Sequence, residues 1–220
     1  MKSKSSIAIV TCILLALSNQ TRAQYSFGIY VDPQLSWFNS DTKKSDPNGS
    51  VVSFNIGFNA DKYFADRYAV SSGLSLNNVG GKIRFSEDIK LETSDSSYIV
   101  KAGNTVKLKA QYLSIPIGLK FRTNQIGYLT FYGNLGLRNN IKLKGFAWDG
   151  SNDVDRETAT DNFKWAYLSY FIGAGVEYSL GEESALQLGL TFTGGLTEYL
   201  DLGKGTITPR SLSLRIGVVF

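Results

Sequence analysis

The chain has 220 residues, 43% hydrophobic and 19% charged, which is enough for one sizeable domain and too apolar for a disordered segment. Its formal charge of +4 shrinks once Lys2, Lys4 and Arg22 are assigned to a leader, because 20 basic residues then face 19 acidic ones. A nucleic-acid partner, which needs a basic domain face, loses its support. Gly (22), Tyr (12) and Phe (13) favour strands and turns over helices.

The first residues, MKSKSSIAIVTCILLALSNQTRAQ, place Lys2 and Lys4 before an apolar run from Ile7 to Leu17 and a polar stretch ending in Thr21, Arg22 and Ala23. That order is the order of a secretory signal peptide, and the apolar run is too short to cross a bilayer as a helix. Cleavage is expected after Ala23, giving a leader over 1–23 and one domain over 24–220. Cys12 sits inside the apolar core of the leader and is not read as a lipidation site. The exported domain then has neither Cys nor His, so a large strand network or the surrounding medium must hold it rather than disulfides.

Beyond the leader, period-two alternation recurs. It is cleanest over 52–60, 113–121, 186–192 and 212–220, and noisier over 25–38, 68–79, 128–141 and 165–180. The connections alternate as well. Those over 61–67, 122–127 and 181–184 are short, while those over 39–50, 80–109, 142–164 and 194–209 are longer and polar. Eight strands with short turns at one end and long loops at the other make an all-β, eight-stranded antiparallel up-and-down transmembrane β-barrel. Pro33 and Pro116 fall inside strands and lack a ladder donor, so a bulge or strand end is expected at each.

The polar face decides which side meets lipid. It carries Gly, Ser and Asn with a few isolated charges, Asp32, Lys120, Arg138, Glu177 and Arg215, which suits the crowded interior of a small barrel better than a water-exposed sheet. These five are expected to pair inside, with a sum of +1, and Tyr30, Tyr132 and Phe171 to narrow the lumen. A strand in hydrocarbon requires closure, so the last strand, SLSLRIGVVF, should pair with the first. Its apolar row is Leu212, Leu214, Ile216, Val218 and Phe220, with Phe220 at an interface that favours aromatic rings.

That terminal row resembles the C-terminal signal by which the barrel-assembly machinery receives outer-membrane barrels. YLSIPIGLKF, from Tyr112 to Phe121, and GAGVEYSL, from Gly173 to Leu180, resemble the PorT-like family of outer-membrane β-barrel proteins, whose namesake is associated with type IX secretion. The resemblance implies location in the outer membrane, contact with its lipid, and a structural, surface-interaction or envelope-assembly role through the long loops, with an envelope or extracellular protein as partner. A small solute channel and a soluble periplasmic ligand-binding barrel are the alternatives.

No motif adds a cofactor or a catalytic centre. GAGVEY lacks the third glycine and the following helix of a dinucleotide fingerprint, and its glycines fall on the inward row. Asp149, Asp153, Asp155, Glu157 and Asp161 lack EF-hand spacing, so a polar loop is preferred to a Ca²⁺ site. Phe146 and Trp148, and Tyr98 and Ile99, are candidates for a partner surface or for packing on the rim. Without His the usual general base is missing, and no enzyme is expected.

Overall fold

A computed structural model of the chain describes residues 24–42, 45–93, 97–152, 154–181, 184–202 and 205–220. The leader expected over 1–23, Cys12 within it, and Asp153 of the acidic loop lie outside these residues. The strands are β1 (Tyr25–Ser40), β2 (Ser45–Pro47), β3 (Val51–Ala65), β4 (Tyr68–Phe85), β5 (Ile89–Glu92), β6 (Ser97–Val100), β7 (Thr105–Arg122), β8 (Leu129–Asp149), β9 (Val154–Thr158), β10 (Ala166–Ser179), β11 (Ala185–Gly195) and β12 (Ile207–Val219).

Eight of them, β1, β3, β4, β7, β8, β10, β11 and β12, pair antiparallel in that order, and β12 returns to β1. The sheet closes, as expected. β2 lengthens the wall beside β4, β9 does so beside β8, and β5 and β6 form a separate hairpin. Phe220 exchanges backbone hydrogen bonds with Phe27 at 2.7 and 2.8 Å.

Along β1, Phe27, Ile29, Val31 and Leu35 are exposed while Tyr30, Asp32, Gln34 and Ser36 are buried. The same split holds around the wall, with Phe54, Ile56 and Phe58 outward on β3 and Leu186, Leu188 and Leu190 outward on β11. Aromatic pairs ring both ends of this band. Tyr25, Phe27, Phe64, Tyr68, Phe121, Tyr128, Tyr178 and Phe220 lie near the short turns, and Trp37, Tyr170 and Phe192 near the long loops. From Phe27 to Trp37 a strand tilted ~40° climbs about 25 Å, the height of the apolar band of a transmembrane barrel. An outward apolar belt of this kind rules out the soluble reading, in which the apolar side would face inward.

Two expectations need correction. Neither proline breaks its strand. β1 keeps one register against β12 from Gly28↔Val219 to Ser40↔Ile207, and β7 runs through Pro116, which faces Arg138 of β8. Each proline lacks a ladder donor, and the pairing of β1 with β12 lapses at Asp32 and Pro33, and that of β4 with β7 at Ile115 and Pro116, before resuming in the same register. The register shift in β7 falls at Gln111/Tyr112 instead.

The strands are also longer than the alternation suggested. About 9 to 11 residues cross the hydrocarbon, whereas β4, β7 and β8 have 18, 18 and 21. Much of 80–109 and 142–164, expected as loop, is therefore wall standing above the membrane. β11 and β12, with 11 and 13 residues, end lower, so the wall is high on one side.

Leu214 is outward, opposite Leu190 and well inside the belt. Leu214→Arg should cost about 2 to 4 kcal/mol, the range for a basic residue on the lipid face at mid-depth. Leu214→Phe should be accepted. Reversible urea unfolding in lipid vesicles measures both, and a loss of about 1 to 3 kcal/mol for the Phe variant would reveal a packed interior site instead.

Candidate functional site

The interior has two storeys. In the half toward the short turns it is polar and ionic. Arg215 of β12 reaches Asp32 of β1 through two bonds, Nε to Oδ1 at 3.0 Å and Nη2 to Oδ2 at 2.9 Å, and Asn55 Nδ2 donates to the same Oδ2 at 2.9 Å. The Arg215 guanidinium also lies 3.8 Å from the Tyr30 ring centroid. Lys120 of β7 bridges Asp61 of β3 and Glu177 of β10, with Nζ 2.8 Å from Oδ2 of one and 2.8 Å from Oε1 of the other. Ser71 Oγ and Asn59 Nδ2 donate to Asp61, and Gln187 Nε2 to Glu177. All of these charged side chains are buried.

The five interior charges expected from the alternation thus lie inside the wall, and Asp61 is the one missed. With it, three cations face three anions in this polar half, whose charge is zero rather than +1, while Asp149 is buried apart from them at the upper end of β8. Arg138 is buried without an ion pair among the described residues; its guanidinium lies 5.5 Å from the Phe171 ring, and its Nε has no partner there. Tyr30, Tyr132 and Phe171 point inward, as expected. The inward glycines make room for them. A Cβ on Gly175 or Gly189 would stand 2.7 or 2.2 Å from the Tyr132 hydroxyl oxygen, so the small residues of GAGVEY serve packing.

Higher up, the interior turns apolar. Val79, Ile83 and Phe85 of β4 meet Val106, Leu108, Ala110 and Tyr112 of β7 in one buried cluster. Ile89, Leu91 and Val100 of the β5–β6 hairpin fold down onto it, and Phe163, Tyr199 and Leu200 enter from the other long loops. Tyr199 is at the centre, its ring centroid 5.6 Å from Phe38, 5.6 Å from Tyr112, 5.4 Å from Phe163 and 5.3 Å from Tyr167. Its hydroxyl donates to the Val79 carbonyl at 2.6 Å, and burial raises the phenol well above its ordinary range.

The loops are tied to one another as well as to this cluster. Asn162 donates to the Glu92 carbonyl at 2.6 Å and accepts from the Glu92 amide at 3.2 Å, fastening the hairpin to the β8–β10 connection. Lys164 pairs with Asp201 at 2.7 Å and Glu198 at 3.5 Å, and the hydrogen bond to Asp201 leads in raising its ammonium above the ordinary range. Thr206 N donates to Asp41 Oδ1 at 3.0 Å, joining the first and last long loops. Tyr98 packs against the apolar cluster, and burial, helped by the Asp149 and Glu157 carboxylates, pushes its phenol up to about 12. Ile99 beside it is exposed.

The acidic loop is not gathered into a metal site among the described residues. Asp149 is buried and turned back on its own loop, accepting from Ser151 N at 2.9 Å and Asn152 Nδ2 at 2.7 Å. Phe146 and Trp148 lie outward on β8, 6.3 Å apart.

A closed wall with an apolar belt outside, aromatic girdles and a filled polar interior defines a transmembrane β-barrel of the outer-membrane type. The family model described as outer membrane protein beta-barrel domain matches residues 17–201, and the chain belongs to that family. Among solved structures, Neisserial surface protein A is 13% identical over 88% of this chain and 95% of its own, with a TM-score of 0.49. OprG of Pseudomonas aeruginosa is 12% identical over 90% and 95%, with a TM-score of 0.47. The attachment invasion locus protein Ail of Yersinia pestis is 16% identical over 90% and 99%, in complex with the heparin analogue sucrose octasulfate, with a TM-score of 0.42. No curated protein matches.

Proposed function

We propose that this outer-membrane protein is a closed, non-conducting and non-catalytic barrel that presents an ordered head of interlocked loops outside the cell, for contact with an envelope or extracellular protein. The observation that carries this reading is the filled mouth, where the β5–β6 hairpin and Tyr199 sit inside the wall in an apolar cluster. A solute channel needs a continuous wet path, and dry side chains packed across the lumen remove it. Outward orientation of the head follows the rule that the long loops of such barrels face the exterior.

The non-catalytic reading is supported by the absence of His from the sequence and by the engagement of Asp32, Asp61 and Glu177 with cations. The row Leu212, Leu214, Ile216 and Val218, ending at Phe220, is the segment proposed to be read by the barrel-assembly machinery during biogenesis. The PorT-like resemblance points to the same class of role, an accessory of an envelope assembly such as a secretion apparatus.

Planar-bilayer recording of the purified protein should show no steady single-channel conductance, and extraction in mild detergent should co-purify a stable envelope protein. Large, lasting open-channel currents from pure protein would overturn the closed reading. Recovery of the barrel alone, under conditions that preserve known envelope complexes, would overturn the assembly role.

A further inference from the structure

The outer face of the high wall carries a patch that the closed-barrel reading leaves unused. On the outward rows of β4, β7 and β8, the last aliphatic positions are Leu76, Leu113 and Leu143. Above them the chemistry changes abruptly. Registers place Gly80 beside Lys109 and Phe146, and Lys82 beside Lys107 and Trp148, with Lys144 one row below beside Gln111. Those rows hold no carboxylate, and none of these lysines makes an ion pair among the described residues.

The cations are instead organised by aromatic faces. Lys107 Nζ lies 3.9 Å from the Trp148 ring centroid, and Lys144 Nζ and the Arg156 guanidinium each lie 5.3 Å from that of Phe146. Arg156 has a backbone φ of 55°, a left-handed conformation unusual for a long side chain, beside an irregular step in the β8–β9 pairing. Lys109 extends across Gly80, where a Cβ would meet its side chain at 3.0 Å, and donates to the Val52 carbonyl at 3.1 Å.

With basic and acidic residues nearly balanced outside the leader segment, rows that carry lysines and no carboxylate reflect segregation rather than composition. Exposed carboxylates stand at their border, Asp46 opposite Arg84 and Asp155 beside Arg156. Height above the belt fixes what it meets. Lys109 stands four residues above Leu113, about 10 Å along the membrane normal for a strand tilted ~40°. The polar headgroup layer extends about 5 to 8 Å beyond the hydrocarbon on each side, so Lys144, beside Gln111 and two residues above Leu113, lies within it, and Lys109 reaches it from just above. On the opposite wall, which ends lower, Trp37, Tyr170 and Phe192 stand at the long-loop edge of the belt with Arg210 beside Trp37.

We infer that the basic and aromatic face of β4, β7 and β8 binds the phosphate groups of a lipid in the leaflet on the long-loop side. Acyl chains would lie on the Leu76, Leu113 and Leu143 rows while the phosphates meet Lys82, Lys107, Lys109, Lys144 and Arg156. The lysines act as point charges that accept varied phosphate positions, and the aromatic faces hold their stems in place. The inference rests on the outward orientation proposed for the head but not on the closed lumen.

The test uses the refolded full domain in neutral phosphocholine micelles doped with diphosphoryl lipid A or with its dephosphorylated form, read by native mass spectrometry. The phosphorylated lipid should be retained roughly tenfold or more over the other, with a steep salt dependence. The triple variant Lys107→Gln, Lys109→Gln and Lys144→Gln should lose that preference and keep heat-modifiable mobility, while Arg210→Gln should leave it unchanged. Equal retention of both lipids, or an unaltered triple variant, would overturn the site. Equally tight capture of soluble polyphosphate would overturn its assignment to a lipid. Labelling of Lys107→Cys on intact cells by a membrane-impermeant maleimide reports the orientation separately, in a domain that otherwise lacks cysteine.

Discussion

Lys120→Met should destabilise the folded barrel by about 3 to 5 kcal/mol, the cost of leaving buried charge without its partner. Lys120 is nearly inaccessible and bonds two carboxylates at 2.8 Å each, so removing its ammonium strands Asp61 and Glu177 together. Their remaining donors, Ser71, Asn59 and Gln187, satisfy lone pairs but supply no countercharge. Urea unfolding in lipid vesicles, followed by tryptophan fluorescence and gel mobility, gives the loss as a lower midpoint with an unchanged slope. The discriminating comparison is Lys120→Met with Asp61→Asn and Glu177→Gln, which removes the stranded charges and should recover most of the stability. If the single variant were as stable as the parent, the ion network would not be holding β3, β7 and β10 together. If the triple variant were as weak as the single one, shape at this site would matter more than charge.

The part of this network that the sequence revealed and the part it hid have one physical explanation. Inside the belt, one face of each strand meets lipid and the other a narrow polar lumen, so the period-two pattern is strong and isolated charges stand out among Gly, Ser and Asn. Asp32, Lys120, Arg138, Glu177 and Arg215 were legible for that reason. Asp61 was not, because after Ala60 the outward row passes to Lys62 and the segment resembles the start of a turn. Parity still marks it: Ser53, Asn55, Gly57, Asn59, Asp61 and Tyr63 are one inward row.

The head was hidden by a reversal of the same pattern. Above the membrane the outside meets headgroups and water while the inside becomes a dry core, so apolar residues change faces. In β4 they occupy Val70, Leu74 and Leu76 on the outward row, then Val79, Ile83 and Phe85 on the inward one. In β7 the inward Val106, Leu108, Ala110 and Tyr112 give way to the outward Leu113, Ile115, Ile117 and Leu119. Read as one alternating strand, each segment looks interrupted, and the portion beyond the flip resembles loop. Read as a phase change, it marks where the hydrocarbon ends. The contacts of Tyr199 with Phe38, Tyr112, Phe163 and Tyr167 join residues far apart in the chain, and no local pattern encodes them.

Tyr199→Ala should therefore cost about 3 to 5 kcal/mol, the range for removing a buried aromatic ring whose neighbours cannot fully collapse. The residue belongs to the β11–β12 connection yet is completely buried, and four rings from β1, β7, β10 and the β8–β10 connection contact it. Its loss should loosen the head before the belt, because the lipid-facing rows and the Lys120 and Arg215 networks lie lower in the wall. The expected result is retained heat-modifiable mobility together with new protease cleavage over 86–104, where the β5–β6 hairpin no longer has a surface to pack on. Tyr199→Phe separates ring from hydroxyl. It keeps the packing and gives up only the bond to the Val79 carbonyl, so it should lose about 0.5 to 1.5 kcal/mol and remain resistant to protease. Loss of mobility in Tyr199→Ala would mean that head and belt fold as one unit, whereas an unchanged cleavage pattern would mean that the hairpin holds its place without the aromatic cluster.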